Sequence, residues 1–199
     1  MDRRTGPAAA DPHIFEGAIY CVTPGPRARQ AAVDLVEAMV RQAKAKVYYI
    51  DPAEHDSYVA AVSHLPFLLS AAQMAVVSDS AGWKEMAPLA ATGFRDISRL
   101  ASGDAEMHRD ICVTNQAALV HWLNVAAQQL LDLRDQIEAG EGDELLAFFV
   151  RARAARERWL DSRPNMRPGE NDFEDISGAP VSRPNLFGRF GQRPTPKKR

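Results

Sequence analysis

The stretch TGFRDISRLASGDAEMHRDI, residues 92–111, gathers Arg95, Asp96, Arg99 and His108 around a short polar turn. Asp96 and Arg99 are three residues apart, so on a helical turn they face the same way and can pair. A carboxylate placed there would fix the guanidinium, whose planar fork suits a second carboxylate supplied by a ligand. The alternative is an ordinary surface ion pair, worth about 0–1 kcal/mol and without function. Gly93 and Phe94 just before suggest a tight turn held by an anchored aromatic ring, with Arg95 turned away into solvent.

His64, in the segment SHLP, lies on a face of small residues where a histidine is either a satisfied core residue or a ligand contact. His55 is nine residues earlier and half a turn out of phase on a regular helix, so it reads as a first-turn surface residue. Asn115 falls on an apolar stripe, where its amide needs a partner: it either holds the 92–99 turn or caps a neighbouring carbonyl. No G-x-G-x-x-G motif follows a strand and no phosphate-loop motif occurs. The glycines of AGEGDE follow a helix and read as its C-cap. Cys21 and Cys112 have no C-x-x-C spacing and no nearby histidine pair, so neither a disulfide framework nor a zinc site is expected. A reducing cytoplasm is the expected setting.

The elements that would position these residues follow a simple order. GAIYCVTP (17–24) reads as a short strand, and KVYYID (46–51) as a second. Between them RARQAAVDLVEAMVRQAKA puts Ala32, Leu35, Val36, Met39 and Val40 on one stripe of an amphipathic helix. Strand, helix, strand is the rhythm of a parallel sheet, but two strands are too few to make one. The unit resembles the tail end of an α/β domain whose earlier strands are missing. Asp51, Pro52 and Glu54 form a helix start, and Pro66 should kink the helix that follows, whose packing face would be Ala60, Ala61, His64, Leu68, Ala71 and Ala75. A shorter helix covers 83–91 and ends at Gly93. From about residue 102 to Gly140 one unbroken helix is expected, then a last one over 143–160. This hairpin carries more apolar surface than one subunit needs, which predicts a homodimer through its long helices.

The chain has 199 residues, 46% hydrophobic, enough for a packed core. Residues 162–199 hold 8 Lys/Arg against 4 Asp/Glu and six of the thirteen prolines, and are expected to be a disordered tail. The rest, 16 cationic residues against 22 acidic, is a poor nucleic-acid binder. The most apolar run, 65–77, is shorter than a span of about 20 residues and contains Pro66, so no membrane segment is expected.

Together, DPAEHDSYVAAVSHLPFLLSAA, GFRDISRLASGDAEMHRDI and a downstream asparagine resemble the C-terminal half of prephenate and arogenate dehydrogenases. The preceding FEGAIYCVTP and AKVYYIDPAEHD resemble the last strands of that family's dinucleotide-binding domain. The resemblance covers roughly residues 11–160. It implies a mainly α fold: residues 1–51 as a β-α-β remnant of a Rossmann-type domain, 52–161 as a helical dimerisation domain, and 162–199 as the tail. It implies oxidative decarboxylation of prephenate or arogenate, with NAD or NADP as hydride acceptor, in tyrosine biosynthesis. By carry-over Arg99 binds a substrate carboxylate, Asp96 organises it, and His64 lines the same pocket. The glycine-rich loop and the family's catalytic histidine have no counterpart in these residues, and His108 stands where the family usually has tryptophan. The chain is thus expected to supply a substrate-binding and dimerisation half, inactive without a separate nucleotide-binding domain. The competing expectation is a non-catalytic dimeric module that binds an aromatic-pathway acid or a protein partner.

Overall fold

The computed structural model of the chain describes residues 10, 11 and 13–162. Most of the N-terminal dozen and the basic, proline-rich tail beyond Ser162 lie outside the described residues, and with them the expectation of a disordered tail.

The fold is mainly helical, with a small parallel sheet at its start. Strand β1 (Ile19–Val22) pairs in parallel with β2 (Lys46–Tyr49), with Ile19 opposite Lys46 and Val22 opposite Tyr49. Helix α1 (Gln30–Gln42) makes the crossover. Val22, Val40, Ala45 and Val47 form the buried cluster between them, with Tyr49 packed against it. The expected α1 stripe is only partly right: Val40 is buried, but Leu35 and Met39 are each 63% exposed. The sheet holds the side of α1 that carries Val33, Glu37 and Val40, and Tyr49 Oη donates to Glu37 Oε2 at 2.7 Å.

Helix α2 (Pro52–Val59) starts as its residues dictate: the Asp51 carboxylate accepts from the backbone N–H groups of Ala53 and Glu54, and Pro52 takes the first helical position. A π turn, Ala60–His64, then leads directly into α3 (Leu65–Ser78). Pro66 therefore does not interrupt the helix. The chain winds one extra residue into the preceding turn, Leu65 N–H donates to Ala60 C=O, and the helix continues. The extra residue rotates everything after it, which corrects the expected packing face: Phe67 and Ser70 are buried, while Ala71 and Ala75 are exposed. It also corrects the length argument above, because the run Pro52–Ser78 is long and apolar enough to cross a membrane by length and composition. Here α5, the 3₁₀ turn at Arg99 and α7 pack against it.

Helix α4 (Trp83–Met86) passes into a 3₁₀ turn at Ala87–Leu89, and α5 (Thr92–Ser98) begins before Gly93, which therefore lies inside a helix instead of ending one. A second 3₁₀ turn, Arg99–Ser102, connects to α6 (Ala105–Thr114), capped by the Asp104 carboxylate. The expected single long helix is two: Asn115, at φ −112° and ψ 37°, separates α6 from α7 (Gln116–Ala139). Gly140, at φ +68°, closes α7 in the left-handed conformation, and α8 (Gly142–Ser162) runs back.

Among the described residues the core is small, and much of the hairpin's apolar surface is bare. Leu130, Ile137, Leu146, Phe149 and Trp159 are all exposed.

Candidate functional site

The site is built where the π turn, α3, the 3₁₀ turn at Arg99 and α6 meet. His64 closes the π turn and is half-buried. Its Nδ1 lies 3.4 Å from Asn115 Nδ2, and the same amide donates to the Asp56 carbonyl at 2.8 Å. Asn115 thus ties the α6–α7 break to α2 and the π turn, and is a carbonyl cap more than a support for residues 92–99. Burial holds the His64 imidazole below its usual range; the Asp56 carboxylate opposes this and the nearby His55 adds to it. At neutral pH His64 is an uncharged hydrogen-bonding group.

His55 was expected on the surface, out of phase with His64. The π turn rotates the later residues back by roughly 100° relative to a regular helix, which brings the two imidazoles within electrostatic reach. His55 is partly buried, with Nδ1 3.1 Å from the Asp56 carboxylate.

Phe67 is buried one turn past His64 and carries a ring on each side. Its centroid is 6.0 Å from that of His64, and His108 stacks on it in parallel at 4.1 Å. His108 also lies over Gly103, where a Cβ would come within 2.6 Å of the imidazole. The glycine is therefore what lets His108 lie flat on Phe67.

Arg99 opens the 3₁₀ turn. The expected Asp96–Arg99 pair does not form. Asp96 lies beside Arg95 instead, Nε to Oδ1 at 3.4 Å, with both side chains largely in solvent. The reason is local: the adjacent Arg95 takes the Asp96 carboxylate, so Arg99 in the following 3₁₀ turn is left without it. Arg99 is exposed and has no ion-pair partner among the described residues. What positions it is its backbone. Ser70, 1% exposed, accepts a 3.0 Å bond from the Ala101 N–H and pins the turn to α3, while Ser98 Oγ donates to the Phe94 carbonyl. Ser70 was missed in the sequence, and its one signal was a hydroxyl inside an otherwise apolar run.

These neighbouring elements carry the exposed guanidinium of Arg99, without an ion-pair partner among the described residues, the half-buried imidazole of His64 and the stacked rings of Phe67 and His108. Such a set suits a small ring-bearing carboxylate more than a phosphate or a metal ion. No cluster of metal-ligating side chains occurs among the described residues. Nor does the turn from β1 into α1 fit a dinucleotide. This stretch, TPGPRAR, has one glycine between two prolines, and Arg29, the N-cap of α1, makes no side-chain capping bond.

Comparison with known proteins follows the same lines. The family model described as prephenate dehydrogenase, dimerization domain, matches residues 51–151. Prephenate dehydrogenase of Bacillus subtilis (strain 168) is 29% identical over 158 residues, 77% of this chain and 42% of that protein. The structure of Synechocystis arogenate dehydrogenase superposes with a TM-score of 0.67 at 29% identity, covering 74% of this chain and 54% of the other. Prephenate dehydrogenase from A. aeolicus, in complex with hydroxyphenyl propionate and NAD+, shares the fold with a TM-score of 0.73 at 23% identity, over 79% of this chain and 55% of that one. The chain therefore spans about half the length of the proteins it matches.

Proposed function

The chain belongs to the prephenate dehydrogenase dimerization-domain family, and from that premise we propose that it supplies the substrate-binding and dimerising half of a prephenate or arogenate dehydrogenase of tyrosine biosynthesis. The observation that carries this is the guanidinium of Arg99, unpaired among the described residues and held on a turn that buried Ser70 anchors to the same helix run as His64 and Phe67.

In this reading Arg99 takes a substrate carboxylate through its fork. His64, neutral, donates or accepts a hydrogen bond, and His108, backed by the buried Phe67, offers its imidazole to the ring. Asp96 contributes at the rim, its charge shared with Arg95, so the positive charge of the site falls to Arg99. The hydride acceptor, NAD or NADP, is held by a nucleotide-binding domain of the enzyme and not by these residues. The bare faces of α7 and α8 support a homodimer, and the two free cysteines support a cytoplasmic setting.

The openness of Arg99 favours a second reading, a non-catalytic dimer that binds an aromatic-pathway acid without turning it over. Calorimetric titration with prephenate, arogenate and tyrosine addresses both. Saturable binding of prephenate or arogenate is expected; heat from neither would overturn the substrate-binding reading.

A further inference from the structure

We propose that Asn115 is a positioning residue: it holds His64 in the tautomer whose proton sits on Nε2, so that the site offers its ligand a fixed N–H donor at that atom. This rests on the reading above, in that the oxygen meeting the donor belongs to the substrate acid.

The direction of the Asn115 amide is decided by its partners. A backbone carbonyl only accepts hydrogen bonds, so the 2.8 Å contact with the Asp56 carbonyl is made by the Nδ2 end. The same nitrogen lies 3.4 Å from His64 Nδ1 and has a second hydrogen to give. An amide NH₂ accepts nothing, so Nδ1 must present its lone pair. A neutral imidazole carries a single proton on its two nitrogens, which leaves that proton on Nε2. A protonated ring would set one N–H against another. The burial that holds the imidazole below its usual range favours the same neutral form. The Asp56 carboxylate does not compete for the ring, because it lies 3.1 Å from His55 Nδ1.

Two further observations point the same way. Asn115 stands at the N-cap of α7, where an asparagine side chain ordinarily accepts from the N–H groups of the first turn. Here it makes no capping bond, and its amide crosses instead to α2 and the π turn. The other observation concerns the far edge of the ring. His64 Nε2 makes no hydrogen bond among the described residues, and the ring is only half-buried. Nor is that nitrogen sealed in, since the one buried side-chain N or O without a partner among the described residues is Gln73 Oε1. A free, reachable N–H on an oriented ring takes an acceptor: a carboxylate or carbonyl oxygen, and not an ammonium. Arg99 then supplies the charge of the site and His64 a directed neutral donor.

The experiment reads the tautomer by long-range proton–nitrogen correlation NMR on the full chain with isotope-labelled histidine, the His64 signals being assigned by their loss in His64→Asn. In the parent above neutral pH, Nδ1 should appear as the bare nitrogen and Nε2 as the protonated one. Asn115→Asp replaces the donor by an acceptor and should move the proton to Nδ1; Asn115→Leu should leave a mixture. Trp122 Nε1–H donates to the Ser57 carbonyl at 3.3 Å, a second hold of α7 on α2 that both variants keep. Prephenate binding should weaken about tenfold or more in Asn115→Asp, also at raised salt where repulsion by the new carboxylate is screened, and less in Asn115→Leu. A parent spectrum with the proton on Nδ1 overturns the proposal, whether or not a variant folds. So does an Asn115→Asp tautomer unchanged from the parent, or parent affinity once the tautomer has switched. A parent that shows the expected tautomer but binds neither prephenate nor arogenate would leave the positioning of His64 standing and tell against the functional reading.

Discussion

At the scale of single residues, charge and position are set separately. Arg99 carries the charge of the site, His64 the neutral hydrogen bond, and neither is held by the acid three places before the arginine. Asp96 shows how far sequence spacing could reach. The i,i+3 interval was real, but spacing does not choose between two cations, and the carboxylate lies beside the adjacent Arg95. His64 was legible as a residue of interest from its setting, whereas its link to Asn115, fifty-one positions away, was not. A pH consequence follows. The folded chain holds His64 below its ordinary value, so as pH falls from about 7 to about 5 the unfolded state takes up more protons and stability declines. That decline should be smaller in His64→Asn, read as the difference in Tm between the two pH values. Equal declines in both proteins would contradict the burial of the imidazole.

At the scale of elements, local signals were read well where the chemistry is local. Asp51 and Pro52 start α2 as their types require, Gly140 ends α7, and both strands form near the expected positions. The misses share a cause: a regular helix was assumed through residues that alter its pitch. Pro66 is absorbed by a π turn, which shifts the buried face to Phe67 and Ser70. Asn115 divides α6 from α7, and its amide bonds to the Asp56 carbonyl. These choices depend on contacts distant in sequence, which no local pattern encodes. Ser70 gives the element-scale test. Ser70→Ala would leave the Ala101 N–H without its partner, costing ~1–3 kcal/mol, measurable in urea unfolding. It should also weaken prephenate binding by loosening the turn that carries Arg99. A variant as stable as the parent would show that the turn does not depend on this bond.

At the scale of the whole molecule, the described chain is mostly surface. Bare apolar residues line the α7–α8 hairpin, and the βαβ unit is open on one face and both edges. The sequence foretold the first through the excess of apolar positions on its long helices and the second through its two lone strands. It could not tell which face of α1 would be left uncovered. Leu146→Asp together with Phe149→Asp should convert a dimer into a monomer in light scattering at micromolar concentration, with helical content kept; a wild-type chain that is already monomeric would remove the homodimer from the account. The central claim, that this chain recognises a carboxylate through Arg99, is tested most directly by titrating prephenate into Arg99→Ala and Arg95→Ala beside the parent chain. Loss of a charged hydrogen bond of ~1.5–3 kcal/mol should weaken the first about 10- to 100-fold at unchanged Tm, and leave the second, whose guanidinium is turned to Asp96, near parent affinity. Equal affinity in all three would contradict it.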